Sequence, residues 1–165
     1  MRLTLETESP EQTRALGAAI GRRLRPGDVV LLHGDLGAGK TTLTQGIAAG
    51  LGVNEYVQSP TFTLVAEHAG RAVSGAPIQL YHLDLYRLTD EAELESFGYG
   101  QYLAPTDGVS VIEWPERAGD WLPDAYLLVR LEIAGPDRRR ITIEAVPAAG
   151  DLAPVVEEIA AATAG

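Results

Sequence analysis

Polar and apolar residues alternate from Arg2 to Glu6, the period-two pattern of a half-buried edge strand. The period then changes. Leu16, Ala19, Ile20 and Leu24 recur at helical spacing behind Ser9-Pro10-Glu11-Gln12, which places Ser at the N-cap, Pro at the first helical position and Gln at N3. Arg22, Arg23 and Arg25 are expected in the last turn, where cations complement the helix dipole, and Pro26-Gly27-Asp28 ends the element. Val29-Val30-Leu31-Leu32 is an unbroken apolar run of buried-strand length. After it Leu43, Ile47 and Leu51 recur at i, i+4 and i+8, and Gly52 stands where a C-cap glycine belongs.

The second half reads mainly as strands. In Val57 to Val65 the latter half alternates, and Ser59-Pro60-Thr61 forms an extended entry because a residue before proline avoids the helical region. Ala69 to Pro77, with Gly70, Gly75 and Pro77, is expected as a loop joining two strands of a hairpin. Ile78 to Asp84 alternates strictly and ends in an acid. Thr89-Asp90 opens an acidic helical stretch through Glu91, Glu93, Leu94, Glu95 and Phe97, stopped by Gly98 and Gly100 and read as a solvated face. Val109 to Trp114 is a second apolar strand with an acid, Glu113, at its end; Trp114 beside the acid packs under the site or faces a partner, and core packing is the default expectation. Tyr126 to Ile133 and Arg140 to Val146 form another hairpin about residues 134–139, and Leu152 to Ala162 is an alanine-rich helix. These elements predict one α/β domain over residues 1–165: a mainly parallel central sheet with antiparallel edge strands and helices on both faces.

Composition narrows the chemistry. With 45% hydrophobic residues the chain can bury a core. The absence of cysteine excludes disulfides and thiol catalysis, and His33, His68 and His82 are too scattered to suggest a zinc site. No apolar run approaches the roughly 20 residues of a membrane span, and the first residues do not open a signal peptide. A cytoplasmic protein without a membrane partner is expected. A net charge of -10 argues against a protein that wraps nucleic acid by itself, because phosphate contacts need clustered cations.

One stretch carries specific chemistry. Gly34-Asp35-Leu36-Gly37-Ala38-Gly39-Lys40-Thr41 fits G-x-x-x-x-G-K-S/T at every fixed position, between the apolar strand and the helical pattern where a phosphate-binding P-loop belongs. Phosphate oxygens need several converging donors, and the glycines let the backbone turn its N–H groups inward. Lys40 then reaches the β/γ-phosphates, the Thr41 hydroxyl is free to ligate Mg²⁺, and the helix N-terminus favours the anion. Asp84 and Glu113 each end an apolar strand, where ligands of open α/β sheets bind, so both qualify to hold Mg²⁺ or orient the attacking water. Spacing does not divide those roles. A hydroxyl in Ser59-Pro60-Thr61 serves equally as a γ-phosphate sensor or as a turn cap. Arg138 to Arg140 face either the nucleotide base, a partner or solvent.

Four blocks occur in this order: GDLGAGKTT at Gly34 to Thr42, SPTFTLV at Ser59 to Val65, YHLDLYRL at Tyr81 to Leu88, and VIEWPER at Val111 to Arg117. Together they resemble the bacterial TsaE (YjeE) family, small P-loop ATPases that act with TsaD and TsaB in making N6-threonylcarbamoyladenosine next to the anticodon of tRNA. The resemblance implies that Leu36, Gly37, Ala38, Gly39, Lys40, Thr41 and Thr42 cradle the phosphates of ATP, and that Thr41 and Glu113 hold Mg²⁺. It makes Asp84 the second acid, needed for hydrolysis or water positioning, and puts Thr61 in a switch-like segment near the γ-phosphate. Glu11 matches a position near the nucleotide, and the hairpin around Arg138 contributes on the base side. The chain ends and residues 69–77 match the pattern loosely. By the same resemblance TsaD handles tRNA, which this chain meets only through its partners. The expected activity is ATP hydrolysis that drives cycling of the TsaD–TsaB complex, slow alone because no arginine finger is evident in the sequence. A nucleotide-dependent assembly switch and a small-molecule P-loop kinase are the competing readings, the kinase weakened by the lack of an arginine-rich lid.

Overall fold

Val29 to Leu32 carry apolar side chains on both faces of a strand, so they belong where both faces are covered. In the computed structural model, which describes residues 2–60 and 64–164, they lie at the middle of a seven-stranded sheet. Along the chain the elements are β1 (Arg2–Thr7), α1 (Pro10–Gly21), β2 (Val29–His33), α2 (Lys40–Gly50), β3 (Val65–Arg71), β4 (Pro77–Asp84), α3 (Ala92–Ser96), β5 (Gly108–Glu113), β6 (Tyr126–Ile133), β7 (Arg139–Val146) and α4 (Ala153–Thr163). The strand order is β1-β7-β6-β2-β5-β4-β3. Pairings are parallel from β6 through β2 and β5 to β4, and antiparallel at β6–β7, β7–β1 and β4–β3. The expected parallel centre with antiparallel edges is present.

Alternate residues of β2 go to opposite faces. Val30 and Leu32 join Leu16 and Ile20 of α1, Leu43 and Ile47 of α2, and Val156 and Ile159 of α4. Val29 and Leu31 join Leu83, Ile112, Leu94 of α3, and Tyr99, Tyr102 and Ala118 from two one-turn 3-10 segments, Tyr99–Tyr102 and Pro115–Ala118. Three long helices therefore cover one face, and short turns cover the other.

The sheet positions α2 through its neighbour α1, and the two helices cross with their backbones in contact. A Cβ on Gly46 would lie 2.1 Å from the Arg14 carbonyl oxygen, and one on Gly17 would lie 2.4 Å from that of Leu43. Backbone atoms cannot move aside as a flexible side chain can. Gly46→Ala is expected to cost about 3 kcal/mol, the upper end of the overpacking range. A urea-unfolding midpoint equal to the parent's would show instead that the helices separate freely.

Three sequence expectations shift. Helix α1 ends at Gly21, so Arg22 caps it and Arg23 and Arg25 lie beyond its last turn. The chain turns early to bury Leu24, which is 5% exposed. Arg23 still serves the helix end, donating from Nη1 to the Ala19 carbonyl at 2.7 Å. The strand expected in the latter half of Val57 to Val65 starts only at Val65 and runs on to Arg71. Leu64 just before it has φ 65°, outside strand geometry. The hairpin loop is consequently shorter than residues 69–77: Ala69 to Arg71 pair with Pro77 to Gln79. That edge strand carries few large apolar side chains, so its alternation was weak.

Candidate functional site

Glycine at 37 and 39 has a geometric reason, since both residues have left-handed φ values, 81° and 101°. Gly39 is the N-cap of α2, and Leu43 N, bonded to Gly39 O at 2.9 Å, is the first amide of the helix with a helical partner. The amides of Lys40, Thr41 and Thr42 thus start the helix without an intrahelical acceptor, at its positive end. They open on a cleft of 450 Å³.

Register places the acids there. Asp84 stands opposite Glu113 across β4–β5, and Glu113 stands opposite Leu32 across β2–β5. The loop from Gly34 to Gly39 leaves the sheet two residues beyond that level. Asp84, Glu113, Lys40, Thr41 and Thr42 all line the cleft, as do Leu36, Gly37 and Gly39. Ala38 faces inward and is 1% exposed. Asp84 accepts hydrogen bonds from the Ser59 hydroxyl and from Tyr86 N at 3.0 Å, each on a different oxygen. Both oxygens keep acceptor capacity, because an ionised carboxylate has about four lone-pair sites. Glu113 is 2% exposed, and its Oε2 lies 2.6 Å from His82 Nε2.

Lys40 is almost wholly covered. Its Nζ donates to the Gly34 carbonyl and lies 3.4 Å from the centroid of the Trp114 ring. Burial pushes its pKa below the usual lysine range, against the opposing pull of Glu113, Glu116, Asp84 and Asp35. Trp114 packs against the core as expected and also lies under the site: with φ 58° it is partly buried, lines the cleft and has the Lys40 ammonium over its ring. Tyr86 packs on it at 4.9 Å, and the Arg117 guanidinium lies 5.5 Å and 5.9 Å from the Tyr86 and Trp114 rings.

The donor set fits magnesium. Among the described residues no three His, Cys, Asp or Glu side chains gather as a metal cage. Mg²⁺ requires none: it takes one or two carboxylates and completes its shell with water and substrate phosphates. The Thr41 hydroxyl and the carboxylates of Glu113 and Asp84, oxygen donors all, line one cleft.

Other predicted residues lie further out. Glu11 is exposed at the start of α1 and pairs with Arg14 at 3.5 Å. Its neighbours Pro10 and Thr13 border a small groove with Gly39, Thr42, Asp137 and Arg139. Arg138 is exposed on the hairpin tip, outside both linings. Thr61 lies outside the described residues. Two residues were missed. Arg139, beside Arg138, donates from Nε to Ala38 O and from Nη2 to Gly37 O, both at 3.1 Å, and from Nη1 to Gly135 O and Arg138 O. It ties the β6–β7 hairpin to the glycine loop. His82 was set aside with the scattered histidines, although its place two residues before Asp84 put it on the same strand face.

A family model described as "Threonylcarbamoyl adenosine biosynthesis protein TsaE" matches residues 7–141. A Bacillus subtilis protein named "tRNA threonylcarbamoyladenosine biosynthesis protein TsaE" is 41% identical over 147 residues, covering 87% of this chain and 86% of that protein. A Treponema pallidum protein of the same name is 39% identical over 137 residues, covering 83% and 96%. The crystal structure of Bacillus subtilis YdiB superposes with a TM-score of 0.74 at 35% identity, covering 97% of this chain and 95% of that one.

Proposed function

Because the chain belongs to the TsaE family, we propose that it is a P-loop ATPase for tRNA threonylcarbamoyladenosine synthesis, hydrolysing Mg-ATP in the cytoplasm to drive cycling of a TsaD–TsaB complex. The observation that carries this reading is the in-register pair Asp84–Glu113, which faces the same cleft as Lys40 and Thr41 at the start of α2.

In this reading residues 36–42 hold the phosphates by backbone N–H groups, and Lys40 places its charge between the β- and γ-phosphates. Arg139 keeps the Gly37 and Ala38 carbonyls turned away, which leaves the amides of the loop for the ligand. Thr41 and Glu113 would hold Mg²⁺, which would supply neutralisation of the phosphate charge. Asp84, fixed by Ser59 and Tyr86 N, orients the attacking water and takes its proton as the β–γ bridging bond breaks. The nucleoside side falls toward the groove of Pro10, Thr13, Asp137 and Arg139, next to Glu11 and Arg138. The role of Thr61 toward the γ-phosphate rests on the resemblance alone, since the residue lies outside the described ones. The net charge of -10 supports contact with tRNA through TsaD alone. No described helix is long and apolar enough to cross a membrane.

The test is phosphate release measured alone, then with TsaD, TsaB and tRNA. Slow release alone and marked stimulation with the partners are expected. Unstimulated release, with many rounds of modification sustained by a non-hydrolysable ATP analogue, would replace the ATPase reading with that of an assembly switch.

A further inference from the structure

His82 does no chemistry in the reading above, yet it is 0% exposed and its Nε2 is 2.6 Å from the carboxylate assigned to Mg²⁺. An ionised carboxylate only accepts, so Nε2 carries the proton and donates to Glu113 Oε2. The other ring nitrogen, Nδ1, is buried and has no hydrogen-bond partner among the described residues. An unsatisfied buried polar group costs about 1–3 kcal/mol. An apolar residue of similar size would avoid that cost here, since Leu80, two residues earlier on the same strand face, and Val111, opposite His82 in register, are both core residues. The imidazole is therefore tied to what it does for Glu113.

We propose that His82 is a positioning residue. By occupying Oε2 it fixes the rotation of the Glu113 carboxylate and turns Oε1 toward the cleft as the oxygen left for the metal. The inference rests on the Mg-ATP reading and adds to it the group that sets the geometry of its acid. Histidine suits the task because the ring is rigid and reaches across from β4 to β5, whereas a hydroxyl at this position would be too short. Partners that orient metal-ligating side chains typically change metal affinity by about 10–100-fold when removed.

The experiment measures ATP affinity of the full chain as a function of Mg²⁺ concentration, and without Mg²⁺, for the parent, His82→Leu, His82→Gln and His82→Asn. His82→Leu should raise the Mg²⁺ concentration for half-maximal tightening by about 10-fold or more, with metal-free ATP affinity kept within twofold. Gln, whose amide N–H reaches nearly as far as the ring, should restore most of the lost Mg²⁺ response. Asn, one bond shorter, should not. If His82→Leu does not fold, the contrast between Gln and Asn decides. Equal Mg²⁺ midpoints in Gln, Asn and parent would overturn the positioning role while leaving the ATP reading intact. Loss of metal-free binding to the same degree as Mg²⁺-dependent binding would also overturn it, since the effect would then be on the fold of the cleft. A parent protein whose ATP affinity ignores Mg²⁺ would sink the metal assignment itself, and the role of His82 with it.

Discussion

Replacing Lys40 with alanine is expected to raise the dissociation constant for ATP by about 100-fold or more. Two charge-assisted hydrogen bonds to phosphate are worth about 1.5–3 kcal/mol each, and each 1.4 kcal/mol is tenfold in affinity. Against this stands what the ammonium gives up on reaching the phosphates, its place 3.4 Å over the Trp114 ring. A desolvated contact of that kind is worth about 2 kcal/mol, so the net effect stays nearer a hundredfold than the ten-thousandfold that the phosphate bonds alone allow. Calorimetric titration with ATP, with and without Mg²⁺, reads it directly. The variant should melt below the parent, because it loses the bond to Gly34 O and the ring contact, so the titration is run well below its melting temperature. Affinity within a few-fold of the parent would mean that the glycine loop, without its cation, is the real anion site.

The lysine was legible in the sequence; its ring partner was not. Fixed spacing within eight residues specified the loop, and a four-residue apolar run specified the strand before it, because both depend on neighbours along the chain. Asp84 and Glu113 were legible as strand-ending acids, but their pairing depends on β4 lying beside β5, a matter of sheet order. The same limit hid Arg139. Its Nε and Nη2 reach a loop a hundred residues earlier, and nothing in Arg138-Arg139-Arg140 says which of the three points inward. Trp114 packs on the core as expected, but nothing in the sequence sets Lys40 over its ring. The left-handed backbone that swings it under Lys40 has no signature in a non-glycine residue. His82 was judged for metal binding by its distance from other histidines, whereas its partner is a carboxylate on the next strand. The edge strand β3 fails for a different reason, since its pattern is too polar for period two to stand out.

Glu113→Gln and Asp84→Asn should separate the two acids that spacing left interchangeable. Both variants are expected to lose about 10²–10³-fold in turnover, the usual cost of removing one preorganised electrostatic group. Binding should distinguish them. Glu113→Gln removes half the negative charge facing the cation while its amide oxygen still accepts from His82 Nε2, so the fold survives and Mg²⁺ no longer tightens ATP. In Asp84→Asn the amide oxygen can face Tyr86 N, and the NH₂ can face Ser59 Oγ, whose hydroxyl rotates to accept. The pocket is then kept, Mg-ATP affinity stays near the parent's, and the loss appears in kcat alone, as for a group that acts only in the transition state. The measurements are Mg²⁺-dependent ATP affinity and partner-stimulated phosphate release on the same preparations. Identical behaviour of the two variants would refute the division of roles and make the acids one coupled metal site. The reverse pattern, with Asp84→Asn losing the Mg²⁺ response, would move the metal from the end of β5 to the end of β4, off the carboxylate that His82 holds.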